Sequence, residues 1–370
     1  MYQINNRNNC TIYLILNIII FLNLFCSNNK NSLVEERVTQ NNQITKYTVG
    51  DTIISSDSIF NNEFLDKPTR ILKLHKSDDF IVGDAGNKCI YIFSDNGKYK
   101  GKLGRKGQGP GEFLGLGIFD IDKDDNIFIS DIVNRRMTIM SSKGDVLGMF
   151  YINFEPDTRF IVTQRGEILV NLPKNNYYFT LYSKDGNILR NIGLINRYNK
   201  NIWDVNVKFA KGYPFQDEFG AFYIFLYNMP IVKKYNINGQ FISEYNIIKE
   251  FPIYERYMSL YIPPEKYVSE KSTHVYFYND IKYRNGYFYV GYSRNSKVAD
   301  NNPGDAFLYE FNLGLQLHRI LSLSVKINES ENYKSIGPFE FEFLKEDTEI
   351  LINISNIGSI IKFIPNTKQN

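Results

Sequence analysis

Two near-copies of one strand pattern, starting 47 residues apart, constrain this chain more than any other feature: VGDAGNKCIYIF from Val82 and ISDIVNRRMTIM from Ile129. Asp84 aligns with Asp131, Asn87 with Asn134 and Ile92 with Ile139, and the run GRKGQGPGEF from Gly104 to Phe113 lies between the copies. A period of this length belongs to stacked or circular repeats, whose single units cannot bury their apolar faces alone. The rhythm continues down the chain. Strands that follow a tight polar turn begin at Phe80, Ile127, Ile168, Phe222, Phe288 and Ile350, so one hairpin recurs six times, at spacings of 47, 41, 54, 66 and 62 residues.

Each hairpin is followed by a third strand and, in the first five copies, by a glycine-bearing turn (DNG at Asp95, SKG at Ser142, KDG at Lys184, ING at Ile237, LG at Leu313) and a fourth strand. Six repeats of four antiparallel strands predict an all-β, six-bladed β-propeller over residues 44–366, with a short tail at 367–370. The apolar runs IYIF, FYIFL and YFYV suit blades packed on both faces. The sixth copy ends without room for an outermost strand, and the segment from Ile44 to Ser55 is expected to supply it, closing the ring and removing its edge.

Composition agrees with this class. Tyr and Phe (27 and 28, against one Trp) favour pleated surfaces, and 43 basic against 40 acidic residues leave a charge of +3, too small and dispersed for nucleic-acid binding. The apolar run from Thr11 to Phe25 is too short for a membrane span and reads as a signal segment over residues 1–26, followed by a polar tether at 27–43. Cys26, directly after that run, resembles the acylated cysteine of bacterial lipoproteins, although Phe25 stands where that pattern has a small residue. Cys89, inside an apolar strand, is expected to be a buried, inert thiol.

The two aligned strings resemble the NHL repeat, and GRKGQGPGEF followed by a hairpin is similar to the six-bladed propeller lipoproteins of bacterial envelopes. The resemblance implies the fold and an envelope location, on a membrane facing the periplasm or exterior, or secretion. It implies little chemistry, because one propeller shape hosts lyases, lactonases and binding modules. The zinc-dependent peptide-amidating lyases built on NHL blades need converging histidines, whereas His75, His274 and His318 fall on different parts of the repeat. A phosphate-binding loop is disfavoured, since GRKGQGPGEF lacks the Lys-Ser/Thr ending and joins strands. Gly109, Pro110 and Gly111 shape a crossover between blades, and Glu112 is positioned to accept amides within it. Asp84 with Asn87, and Asp131 with Asn134, read as structural turn pairs.

Crossovers and second-to-third-strand loops should share one face of the ring, and the long segments (Gly104 to Ile118, Gly193 to Gln216, Asn246 to Asn279, Ser293 to Ala306, Ser322 to Phe339) all fall there. Arg105, Trp203, Tyr254, Tyr257 and Tyr261 are the expected ligand contacts on that face, with packing as a lid an equal alternative for the aromatics. Glu112, Asp120, Asp122, Asp280, Glu340 and Glu342 lie near inner-strand positions, where a central calcium is conceivable. The residues define no catalytic group and no metal set. The reading is therefore an envelope-anchored, monomeric module that recognises a protein, peptide or glycan, with a metal-dependent hydrolase or lactonase as the alternative.

Overall fold

The computed structural model describes residues 43–54, 59–60, 62–247, 261–267, 277–293, 305–324, 339–345, 348–354 and 359–365. Four sheets of four antiparallel strands form blades 1 to 4. Blade 1 is Pro68–Lys73, Phe80–Asp84, Cys89–Phe93 and Tyr99–Leu103. Blade 2 is Leu116–Ile121, Ile127–Asp131, Arg136–Met140 and Val146–Tyr151. Blade 3 is Phe160–Val162, Ile168–Val170, Tyr177–Tyr182 and Ile188–Leu194, and blade 4 is Gly212–Gln216, Phe222–Leu226, Ile231–Tyr235 and Phe241–Asn246.

Blade 5 (Asp280–Arg284, Tyr287–Ser293, Asp305–Asn312, Leu317–Ser324) and blade 6 (Phe339–Lys345, Glu349–Ile354, Ser359–Pro365) are joined by the N-terminal strand Gln43–Ile54. That strand pairs antiparallel with Ser359–Pro365, as its expected role as the sixth blade's outer strand requires. Its first half also pairs parallel with Leu317–Ser324, from Gln43 opposite Arg319 to Thr48 opposite Ser324. Blades 5 and 6 thus form one sheet of eight strands. The second pairing was not anticipated; twelve residues are enough to zip blade 6 and still cover the edge that blade 5 would otherwise expose.

The first strands of blades 1 and 2, 2 and 3, 3 and 4, 5 and 6, and 6 and 1 touch one another, so these strands line the axis. Burial follows radius. Every residue of Phe80–Asp84, Ile127–Asp131 and Phe222–Leu226 is buried, whereas the outer strands Val146–Tyr151 and Phe241–Asn246 alternate between exposed and half-buried positions. The core is divided into six apolar clusters, one in each gap between neighbouring blades. In the gap between blades 1 and 2, for example, Ile81 and Ile90 meet Phe119 and Ile129.

The turns between third and fourth strands share one construction. Ser94, Ser141, Ser183, Asn236 and Asn312 each accept the amide four residues on through the side-chain oxygen. In blades 1 and 3 the left-handed residue is Gly97 (φ 81°) or Gly186 (φ 84°), and each seats on the outer strand of the preceding blade: a Cβ on Gly97 would stand 2.0 Å from Ile53 Cγ2, and one on Gly186 2.4 Å from Phe150 Cγ. Blade 5 departs from the expected glycine turn. Gly314 is present, but Leu315 takes the left-handed position (φ 58°) and is buried in the gap between blades 4 and 5, so side-chain burial offsets backbone strain.

Gly97→Ala is expected to destabilise the protein by more than about 1 kcal/mol, through both backbone strain and the clash with Ile53. Gly101→Ala, where a Cβ would meet no atom within 4 Å, is the control and should leave the urea midpoint nearly unchanged.

Candidate functional site at the axis

The crossover run expected at the first blade boundary is latched by its own side chains. Arg105–Lys106 pairs parallel with Glu112–Phe113. The Glu112 carboxylate accepts the Gly109 amide (2.9 Å) and Arg105 Nε (2.8 Å), and these two contacts hold it below the usual carboxylate range. Glu112 therefore closes the loop and does not reach the axis. Gly111 sits at φ 71°, next to Pro110. From the third strand of blade 2, the buried Arg136 guanidinium donates to the carbonyls of Gln108 (2.8 Å), Gly109 (2.7 Å) and Glu112 (2.8 Å). Its role was not anticipated; the only sequence signal is a basic residue two positions after Asn134.

Asp84 and Asp131 do more than close their own turns. Asp84 accepts the amides of Gly86 and Asn87, and also those of Asp66 and Lys67 in the segment leading into the inner strand. Asp131 likewise accepts Leu114, Gly115 and Asn134 amides. Asn87 donates back to Asp84 and to the Phe64 carbonyl, and Asn134 to Asp131 and the Gly107 carbonyl. Each pair stitches the incoming segment to its blade, so buried amides find acceptors.

The aromatic crossovers divide. Tyr254 and Tyr257 lie outside the described residues, as does Cys26. Tyr261 packs edge-on against Phe277 (5.7 Å) and is half-buried over blades 3 to 5, in the manner of a lid. Trp203 remains 37% exposed at the start of an unforeseen helix, Trp203–Phe209, with the Arg197 guanidinium 5.5 Å from its ring. Asn199 anchors that helix by accepting the Ile202 amide (2.9 Å) and donates to Pro264 and Tyr267 carbonyls (3.1 Å each), so two crossovers are tied together. Arg105 is 78% exposed in its side chain but engaged with Glu112.

At the axis, all six blades contribute polar groups. Arg70 comes from blade 1, Asp120 from blade 2, Arg159 from the residue before the inner strand of blade 3, Tyr213 from blade 4, Asp280 and Lys282 from blade 5, and Glu340 and Glu342 from blade 6. Asp120 faces Arg70 (3.9 Å) and accepts the Val162 amide (2.7 Å). Lys282 lies between Glu342 (3.4 Å) and Asp280 (3.9 Å), and Asp280 also accepts the Ile281 and Phe341 amides (2.9 and 3.3 Å).

Arg159 is placed differently. It rests against Tyr213 and Tyr227, 5.5 and 5.8 Å from their centroids, and has no carboxylate within ion-pair distance among the described residues. The Tyr213 hydroxyl donates to the Asn279 carbonyl (2.8 Å) and that of Tyr227 to Asp157 (3.1 Å), which fixes both rings. Among these axial groups, Arg70 Nε and Glu340 Oε2 are buried without a hydrogen-bond partner. Burial, reinforced by Asp280, pushes Glu340 up to about 7 against the pull of Arg70, Lys282 and Arg159.

Of the acids expected near the axis, Asp120, Asp280, Glu340 and Glu342 are there, whereas Asp122 lies in a tight turn, accepting Asp124 and Asn126 amides and pairing with Lys184 (3.1 Å). Among the described residues no three metal-ligating side chains gather. The axial acids face arginine, lysine and backbone amides, a donor set that does not suit a calcium ion. Off the axis, a cleft of 370 Å³ lies between blades 2 and 3, with Tyr151, Asn153, Tyr182 and Lys211 in its wall.

A family model described as a 6-bladed beta-propeller matches residues 61–218. The chain is a six-bladed β-propeller. No curated protein matches it. Among solved structures, a Bacteroides fragilis protein whose name marks it as exported aligns at 13% identity with a TM-score of 0.51, over 88% of this chain and 100% of that one. A protein of unknown function from Bacteroides caccae aligns at 12% identity and TM-score 0.45 over 70% and 84% of the two chains. Virginiamycin B lyase from Staphylococcus aureus does so at 10% and 0.48 over 80% and 94%. At 13% identity the first of these supports the fold alone. No helix among the described residues is long and apolar enough to cross a membrane.

A carboxyl raised from 4.5 to about 7 on folding favours the folded state while protonated, and that contribution is lost as pH rises through this window. Wild type should therefore lose stability relative to Glu340→Gln between about pH 5 and 8 in denaturant titrations.

Proposed function

We propose that this propeller is a ligand-binding module of a bacterial envelope, and that recognition takes place at the crossover end of the axis, with Trp203 and Arg105 on the surrounding loops. The observation that carries the reading is the convergence of charged and phenolic groups from all six blades, one of them, Arg159, without a carboxylate partner among the described residues. Ion pairs taken out of water are a poor source of stability, so a ring of them at a shared axis is better explained by binding than by folding. The expected ligand classes are protein, peptide and glycan, and the protein is expected to act as a monomer. Anchoring through acylated Cys26 belongs to the same proposal and is supported by the apolar run before it. A metal-dependent hydrolase receives no support from the pairing of the axial acids with cations.

The test is capture from envelope extracts by the full chain, with fatty-acid labelling read on the same preparations. Arg159→Glu should reduce capture of any specific species by at least about 10-fold, and Trp203→Ala should weaken it less. Cys26→Ser should abolish the label and release the protein from membranes. Undiminished capture by Arg159→Glu would move the site away from the axis, and equal labelling of Cys26→Ser would remove the lipid anchor.

A further inference from the structure

We propose that the axial site binds a carboxylate: Arg159, laid against Tyr213 and Tyr227, receives the ligand's carboxylate group, and Glu340 in its protonated form donates a hydrogen bond to it. The inference rests on the axial reading above and adds the ligand class.

The axial groups leave hydrogen-bonding capacity unused. Three of the four axial carboxylates are engaged: Asp120 by Arg70 and the Val162 amide, Asp280 by two amides and Lys282, and Glu342 by Lys282 and the Phe343 amide. The capacity left over is mainly donor capacity. Arg159 has no carboxylate within ion-pair distance among the described residues and feels Glu340 only through its charge, and Arg70 Nε meets no acceptor. The group missing from this set is therefore an anion, and a guanidinium fork matches a carboxylate in geometry as well as charge. The two phenol rings lie against Arg159, with the Tyr213 hydroxyl within its hydrogen-bonding reach, and they offer apolar surface to whatever carries the carboxylate.

Glu340 sets the proton balance. It faces Asp280 and Lys282 of blade 5, Arg70 of blade 1, Arg159 of the crossover and the Tyr213 phenol of blade 4, and its Oε2 is buried without a partner. With Glu340 ionised, the three cations Arg70, Arg159 and Lys282 face four anions, and an incoming carboxylate is repelled. With Glu340 protonated the counts are equal, and the carboxyl hydrogen can be given to the ligand. Binding should then take up a proton and weaken as the pH rises through about 7.

The probes are N-acetyl-tetraalanine and D-glucuronate, a chain-terminal peptide carboxylate and an acidic sugar, each with its neutral counterpart, the peptide amide and D-glucose. Calorimetric titration of the full chain should show binding of at least one acid, with its neutral counterpart at least about 10-fold weaker, and the acid that binds identifies the source. Affinity should fall several-fold from about pH 6 to about pH 8, with proton uptake visible in buffers of different ionisation enthalpy. Glu340→Gln, which always donates, should keep binding and lose the pH dependence. Arg159→Gln should lose about 10- to 100-fold in affinity, while its thermal unfolding reports that it is folded. The proposal is overturned if neither acid binds, if the neutral counterparts bind equally, or if Arg159→Gln keeps the affinity. Loss of envelope capture by Arg159→Glu with no binding of either acid would retire the carboxylate and keep the axial site. Unchanged capture would retire both.

Discussion

The pairing of Gln43–Ile54 with both Leu317–Ser324 and Ser359–Pro365 is the constraint on which the rest of the ring depends. The apolar core is six separate gaps, and a gap is buried only while both of its blades are present. Blade 6 brings three strands of its own. The N-terminal strand completes it, placing Tyr47 in the gap between blades 5 and 6 and Ile54 in the gap between blades 6 and 1. One strand therefore seals both flanks of the last blade and joins the two ends of the described chain through hydrogen bonds as well as packing.

Closure is also what makes an axial site. Arg70 and Glu340 come from the first and last blades, 270 residues apart in sequence, and face each other's charge only because the ring is shut. The other charged motifs do different work. Asp84, Asp131, Glu112 and Arg136 spend their hydrogen-bonding capacity on backbone amides and carbonyls of the crossovers, where no secondary structure would satisfy those groups. The axial charges are satisfied by one another and incompletely, with Arg70 Nε and Glu340 Oε2 left over. Arg136 Nε is left over as well, so the two sets differ in their partners: backbone groups of the crossovers for one, chiefly opposite charges from other blades for the other.

The local features were legible in the sequence because they repeat at close range. Hairpin rhythm, the Asp-Asn turn pairs and the crossover character of GRKGQGPGEF follow from turn chemistry and from the alternation of apolar runs with polar turns. The axial site was half legible. Its acids stand on inner strands and were named, but their cations were not, since Arg159 precedes its strand and Lys282 shares a strand with Asp280. Glu112 and Asp122 sit as near to inner strands in sequence, yet short turns direct them to backbone amides. The helix Trp203–Phe209 escaped notice because Val205 and Val207 weaken its propensity and its anchor, Asn199, lies outside it; burial of Val205 and Phe209 makes up the difference. Leu315 in a left-handed position is another case of packing overriding a local rule.

The most direct measurement of the central claim is hydrogen exchange, read by mass spectrometry, on the intact chain and on a chain lacking residues 43–54. If that strand closes the ring, its removal should raise exchange in Leu317–Ser324 and Ser359–Pro365, its partners, and also in the axial strands Asp280–Arg284 and Phe339–Lys345, with which it forms no ladder, while blade 2 keeps its protection. Exchange confined to the two partner strands, with the axial strands as protected as before, would contradict the dependence of the axis on closure.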